Sequence, residues 1–365
     1  MIDKLNIAMF GQKRTPSREG GVEIVVGELS TRMVERGHRV TVYDRRSQWP
    51  CMDEYKGVRV RRVPTINVRG LAALTSSLFA AIRTALGKYD VVHIHSEGQA
   101  AMCFLLKLSG KRVVVTVHGL DWAREKWGCV AGAYIKLGEK AAVRWADEII
   151  VLSKNTQAYF RNTYGRETVF IPNGIDRPQQ READEITKVW GRKRDDYVLF
   201  VGRLVPEKGL RTLIRAWQQV KTSKKLVIVG GASDTDSFVD ELHAMAGENV
   251  QFAGFQQGSV LEEFYSNAYL YVLPSDLEGM PMSLLEAMSY GNCCLTSDIP
   301  ECAEVIEDKG VVFPHGDMDG LRDALQYLLD DPEAVERYRR GAADFITAKY
   351  KWDDAVDRTL EVYMQ

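Results

Sequence analysis

Glu278 and Glu286 stand eight residues apart in the segment SDLEGMPMSLLEAMSYG, residues 275–291. Pro281 between them suits the first turn of a helix, where its missing N–H costs little. Glu278 then lies in the loop ahead of that helix, and Glu286 about a turn and a half inside it. The N–H groups of Met282 and Ser283 point out of the helix start, toward any phosphate oxygen nearby. A diphosphate would repel two carboxylates, so they read as hydrogen-bond acceptors for sugar hydroxyls, one on a ribose and one on a transferred sugar. The ordinary alternative for Glu286 is a solvated helical carboxylate.

Cations stand upstream, in VGRLVPEKG (201–209). Arg203 follows a strand end and Lys208 lies five residues on. Arg can fork onto two phosphate oxygens and Lys adds a point charge. Each charge-assisted bond contributes about 1.5–3 kcal/mol. The plain alternative is a surface pair with Glu207.

Two more signals lie in the first half. Gly20-Gly21 precedes a helix, and glycines let a backbone approach an anion closely. They do not form G-x-G-x-x-G, which removes most of the support for hydride transfer. The segment THGLDWAREKWG (116–128) follows a strand. His118 can hydrogen-bond a sugar hydroxyl or a developing charge. Asp121, Trp122, Arg124 and Trp127 read as an acceptor-binding loop, since aromatics cover sugar rings and Arg binds anions. Of His93 and His95, His95 is expected to face the cleft. No Cys, His or carboxylate spacing supports a metal site. Asp234-Thr235-Asp236 resembles a metal-binding D-x-D, but it opens a helix, where Asp is common for ordinary reasons.

The elements that must position these residues are short apolar strands alternating with amphipathic helices. In the first half the strands are 5–10, 38–44, 91–95, 112–119, 148–153 and 168–174. In the second they are 197–202, 225–231, 250–254, 270–274, 293–297 and 311–314. This rhythm predicts parallel sheets covered on both faces. The polar stretch 176–196 is the linker. The expected architecture is α/β, two doubly wound Rossmann-like domains over 1–176 and 177–365. Ligands would bind beyond the strand ends, in a cleft between the two. A terminal amphipathic helix at about 353–364 can pack back on the first domain.

The 365 residues carry a formal charge of −2, which argues against nucleic acid as a partner. The charge is unevenly divided. Residues 1–176 hold 27 Lys and Arg against 17 Asp and Glu, and residues 177–365 hold 21 against 33. Residues 55–89 contain Lys56, Arg59, Arg61, Arg62, Arg69, Arg83 and Lys88 with no acid. That stretch is either a solvated basic face or a surface for anionic lipid or a lipid-linked anionic substrate. Six cysteines without paired spacing read as reduced thiols, with Cys103, Cys293 and Cys294 in the core. No apolar run is long enough for a membrane span or signal peptide, so the expected location is cytoplasmic, or peripheral on the inner face of the cell membrane.

The chain resembles a family 4 glycosyltransferase of the GT-B architecture. The resemblance runs through GGVE, RGHRVTVYD, HGLDW, IPNGID, GRLVPEKG, LPSDLEGMPMSLLEAMSYG and GVVFPHGD. It implies retention at the anomeric carbon of a nucleotide-diphosphate sugar, which serves as co-substrate, with no metal or other cofactor required. By residue, it implies that Gly21 meets the donor phosphate and that Arg203 and Lys208 neutralise the diphosphate. Glu278 would hold the donor sugar beside Gly279 and Met280, and Glu286 the ribose. Gly254 and Phe255 would lie near the base, and His118 near the reacting carbon. HGLDWAREKWG with GGVE also resembles bacterial β-1,4-rhamnosyltransferases of surface polysaccharides. That implies a glycan or lipid-diphosphate-linked acceptor, with dTDP-rhamnose or a UDP-sugar ahead of GDP-mannose as donor. A nucleotide-sugar epimerase and a silent nucleotide-sugar-binding subunit are the alternatives on this fold.

Overall fold

The computed structural model describes residues 4–46, 52–68, 70–123, 128–233 and 235–365, with no side chain for Cys129. The chain forms two compact units, Met1–Gly174 with Trp352–Gln365, and Ile175–Lys351.

The first unit's strands are β1 (Asn6–Phe10), β2 (Arg39–Arg45), β3 (Glu54–Tyr55), β4 (Val58–Val63), β5 (Val91–His95), β6 (Arg112–Val117), β7 (Glu148–Val151) and β8 (Val169–Phe170). They form one sheet in the order β3-β4-β2-β1-β5-β6-β7-β8. Every pairing is parallel except β3 with β4. Helices cover both faces, so strands such as VVHIH are buried at every position. Ala8, Phe10, Val92, Ile94, Val115 and Ile149 lie in its core. Sequence reading missed β4, although Val58, Val60 and Val63 are buried and Arg59 and Arg61 exposed. Its run of Arg masked the apolar alternation.

In the second unit the strands are β9 (Tyr197–Val201), β10 (Lys225–Val229), β11 (Val250–Gly254), β12 (Leu270–Leu273), β13 (Cys294–Ser297) and β14 (Val311–Phe313). Their order is β11-β10-β9-β12-β13-β14, all parallel. In both sheets the order reverses at one strand pair, β1 beside β5 and β9 beside β12. Chain connections diverge there and leave a crevice beyond the strand ends.

Two expectations need correction. The stretch 176–196 is not a free linker, because it contains the helix Glu185–Trp190. The buried Glu263 carboxylate caps that segment, accepting from the N–H groups of Asp184 at 3.0 Å and Ile186 at 3.1 Å. The second domain ends at Lys351 rather than at residue 365, because the terminal helix Trp352–Met364 belongs to the first unit, as its expected packing on that domain allows. Trp352, Ala355, Val356, Thr359, Leu360 and Tyr363 form its buried stripe at helical spacing. Arg36 reaches Asp353 at 2.8 Å and Asp357 at 2.9 Å. The Tyr363 hydroxyl meets His93 Nδ1 at 2.6 Å.

Glycines set how closely the loops approach at each reversal. Gly11, after β1, has φ +130°. A Cβ there would stand 2.0 Å from the His95 carbonyl oxygen. Gly209 has φ +67°, and its Cβ would stand 1.9 Å from the Pro274 carbonyl oxygen. The left-handed backbone alone costs a non-glycine residue about 1–3 kcal/mol, before any collision. Gly209→Ala is therefore expected to destabilise the protein by more than about 2 kcal/mol in urea unfolding. Gly247→Ala, where nothing lies within 4 Å of the added atom, is the neutral control.

Candidate active site

Beyond β9 the chain turns through Gly202, Arg203 and the single turn Pro206–Lys208. Beyond β12 it passes Pro274, Ser275 and Asp276. The Asp276 N–H joins the two loops by donating to the Glu207 carbonyl at 2.9 Å. Lys208 Nζ thereby meets Glu278 Oε1 at 2.5 Å, with both side chains about nine-tenths buried. Ser275 Oγ donates to the same oxygen at 2.7 Å. Ser297 Oγ donates to the Ser275 carbonyl at 2.6 Å and fixes that loop. Among the described residues Glu278 Oε2 takes no donor, and Lys208 commits one of its three N–H donors. The pair therefore combines a rigid acceptor with a rigid cation. The surface-pair alternative for Lys208 with Glu207 does not hold.

The helix Met282–Ser289 follows Pro281, which caps it from an extended conformation rather than entering it. Its start has no side-chain cap, so the first N–H groups face outward. Glu286 is buried and accepts from the Tyr265 hydroxyl at 3.0 Å. It is not a solvated helical carboxylate. Tyr271 donates to Ser283 Oγ at 2.8 Å and steadies the first turn. Gly279, Met280 and Met282 are buried beside it. Gly254 closes β11 at φ +69°, followed by the exposed ring of Phe255. Arg203 is half-buried. These donor-side candidates lie at the strand ends of one sheet.

The first unit has its own cluster. The helix Gly21–Glu35 begins at Gly21 after an extended Gly20, again without a side-chain cap. The loop before it is held by Asp44, which accepts from Gln12 Nε2 and the Thr15 N–H, each at 2.8 Å. Burial pushes the Asp44 pKa up to about 6, against the hydrogen bonds from Gln12 and Thr15. His95 closes β5 and is fully buried, so it does not face a cleft. Its Nδ1 lies 3.0 Å from His118 Nε2. Burial, then the neighbouring His93 and His118, holds His95 well below the ordinary imidazole range, so it is neutral at physiological pH.

Asp121 and Trp122 form one turn with Ala123 after β6, and both are half-buried. The Trp122 indole N–H donates to Glu139 at 3.0 Å, and Lys136 Nζ lies 3.8 Å from its ring centre. One of its faces is thus already covered by a cation. Arg124 and Trp127 lie outside the described residues, as do Asp234 of the D-x-D and Arg69 of the basic stretch. Thr235 donates to the Leu204 carbonyl at 2.7 Å, and the following helix begins at Asp236. Cys103, Cys293, Cys294 and Cys302 are buried free thiols. No local pattern marks Ser275, Tyr265, Glu97 or Glu139, which the fold brings into hydrogen-bond contact with Glu278, Glu286, Asp121 and Trp122.

Comparison with known proteins fits this geometry. Residues 19–178 match the family model for Glycosyltransferase Family 4, and residues 182–345 that for Glycosyl transferases group 1. An uncharacterized glycosyltransferase of Methanocaldococcus jannaschii is 28% identical over 98% of each chain. A GDP-mannose-dependent α-(1-6)-phosphatidylinositol monomannoside mannosyltransferase of Mycobacterium tuberculosis is 24% identical over 93% of each. The structure of Anabaena HepE in complex with UDP-glucose superposes with a TM-score of 0.82 at 18% identity, covering 98% of this chain and 99% of HepE. With one family model on each half and the two parallel-sheet units shared, the chain belongs to the family 4 glycosyltransferases of the GT-B fold.

Proposed function

We propose that this enzyme transfers a hexose, with retention, from a nucleoside-diphosphate sugar to a hydroxyl of a glycan or lipid-diphosphate-linked acceptor in bacterial surface polysaccharide assembly. The Lys208–Glu278 pair at the β9/β12 reversal carries the reading, since it sets a cation for a diphosphate beside an acceptor for a sugar hydroxyl. Arg203 joins Lys208 on the diphosphate, and Gly21 offers it a backbone N–H. Glu286 takes the ribose hydroxyls, with Tyr265 fixing its carboxylate. Gly254 and Phe255 line the base. His118 stands by the reacting carbon, while Asp121 and Trp122 receive the acceptor.

In this mechanism the bond from the anomeric carbon to the diphosphate oxygen breaks as the acceptor oxygen bonds on the same face. The departing oxygen takes the acceptor proton. The protein contributes positioning and cationic stabilisation of the leaving group, and no metal is required. The relatives name GDP-mannose and UDP-glucose, and dTDP-rhamnose remains the donor suggested by the HGLDW segment.

A thermal-shift series with UDP, dTDP and GDP and their sugars tests the donor. At least one is expected to raise the melting temperature, because a ligand that binds only the folded state stabilises it. Arg203→Ala is expected to abolish that shift and lower transfer at least about 10-fold, a loss of about 1.4 kcal/mol, while melting near wild type without ligand. Lys208→Ala is the poorer probe. It strands the buried Glu278 charge and is expected to destabilise the protein by about 3–5 kcal/mol as well. No shift with any nucleotide contradicts the reading.

The membrane role has separate support. The helix Leu71–Leu86 exposes Leu71, Leu78, Phe79, Ile82 and Leu86 along one face. Exposed Lys56, Arg59, Arg61, Arg83 and Lys88 come from the same stretch. Apolar side chains with cations and no acid suit an anionic lipid surface. Among the described residues no helix is long and apolar enough to cross a membrane. The protein is expected to float with phosphatidylglycerol vesicles but not phosphatidylcholine ones, and to be released near 1 M salt, where screening acts within about 3 Å. Equal flotation with both would remove the membrane role.

A further inference from the structure

Two buried tyrosines lie against the helix Met282–Ser289. Tyr271 stands on β12, in register with Leu199 of β9 and Cys294 of β13. Tyr265 comes from the helix Ser259–Asn267. Its ring centre lies 6.1 Å from that of Tyr271, and its other neighbour is Tyr290, stacked at 5.3 Å. Packing fixes both rings, and each buried hydroxyl needs a partner. Tyr265 donates to Glu286 Oε2 at 3.0 Å. Tyr271 donates to Ser283 Oγ at 2.8 Å, with the Val201 carbonyl farther off at 3.4 Å. Burial holds the Tyr271 phenol well above its ordinary pKa, against the hydrogen bond to Ser283, so it keeps the proton it donates.

What this does to Ser283 follows from its place in the helix. A hydroxyl inside a helix ordinarily donates to a carbonyl three or four residues back. Thr31 does so to Gly27 at 2.8 Å, Ser77 to Ala73 at 2.7 Å and Thr359 to Ala355 at 2.7 Å. Ser283 is the second residue of its helix, so Gly279 and Met280 precede the helix. Among the described residues Ser283 Oγ accepts from Tyr271 and donates to none. A hydroxyl has one proton to give. With its oxygen supplied by Tyr271, that proton is what half-buried Ser283 has left to offer.

We propose that Tyr271 is a positioning residue: by donating to Ser283 Oγ it leaves the Ser283 hydroxyl proton to a phosphate oxygen of the bound nucleoside diphosphate. The inference rests on reading this helix start as the diphosphate site. The N–H groups of Met282 and Ser283 face outward there, and a group that accepts from them can accept from the hydroxyl beside them. An ionised phosphate oxygen only accepts, so it matches a hydroxyl that already has its donor. The contact adds a donor without adding a charge. The two tyrosines thus divide the work: Tyr265 fixes a carboxylate that accepts, and Tyr271 a hydroxyl that donates.

Isothermal titration of the full chain with UDP, dTDP and GDP tests this. For whichever of the three binds wild type most tightly, Ser283→Ala should weaken binding at least about 10-fold, as for a hydrogen bond to a charged group. Tyr271→Phe keeps the hydroxyl but lets it turn, so its loss should be smaller, about 3-fold. The double variant should bind like Ser283→Ala, because Tyr271 acts through that hydroxyl. Without ligand Ser283→Ala should melt near wild type, since the Tyr271 hydroxyl can turn to the Val201 carbonyl. Binding by Ser283→Ala within about 2-fold of wild type overturns the proposal. So does a double variant whose loss is the product of the single losses. Equal losses in the two single variants would make the bond a support for the helix alone, and overturn it too. Should Tyr271→Phe fail to fold, Ser283→Ala decides alone. Wild type that binds none of the three overturns this inference together with the nucleotide-sugar reading. Wild type that binds, beside an unaffected Ser283→Ala, overturns this inference and leaves that reading standing.

Discussion

Lys208 and Glu278 are a buried ion pair, and burying two charges is costly unless their geometry is fixed. The fold fixes it by several contacts at once. Gly209 lets the loop after β9 approach the Pro274 backbone, and Asp276 ties that loop to Glu207. Ser275 shares the Glu278 oxygen, and Ser297 holds Ser275. Pairing on Oε1 leaves the other oxygen of Glu278 and the remaining donors of Lys208 uncommitted among the described residues. In the proposed reaction the site receives an anion and a neutral hydroxyl side by side, and it needs this arrangement before the ligand arrives, because reorganising it during reaction would raise the barrier.

The first unit uses the same sheet logic with different chemistry. Its reversal point holds histidines rather than an ion pair. Burial pushes the His93 pKa down to about 3 and holds His95 low as well, so both are neutral and His118 meets a neutral partner. Tyr363 of the terminal helix closes the other end of this row through His93. The last residues of the chain therefore help to fix residues near the candidate site. The charge division runs parallel to this: the first half carries the net positive charge and an exposed apolar helix face, and the second carries the residues proposed to bind the nucleotide sugar.

Most of the fold was legible because parallel strands buried on both faces leave uninterrupted apolar runs, and both halves have them. The runs at 91–95 and 250–254 match the strands residue for residue. β4 escaped because its outward residues are arginines. The helix Glu185–Trp190 escaped because its stability comes from Glu263, far along the chain. The same limit applied to the site. Glu278, Glu286, Arg203 and Lys208 could be found from residue type and local spacing. Which of them pair, and that His95 is buried against His118, depends on strand neighbours that spacing does not encode.

Amide hydrogen exchange, with and without the nucleotide sugar that binds, tests the central claim most directly. The account predicts slowed exchange at residues 202–209 and at the amides of Met282 and Ser283, where the strand-end loops and the helix start would receive the diphosphate. Protection that leaves both segments unchanged would contradict it.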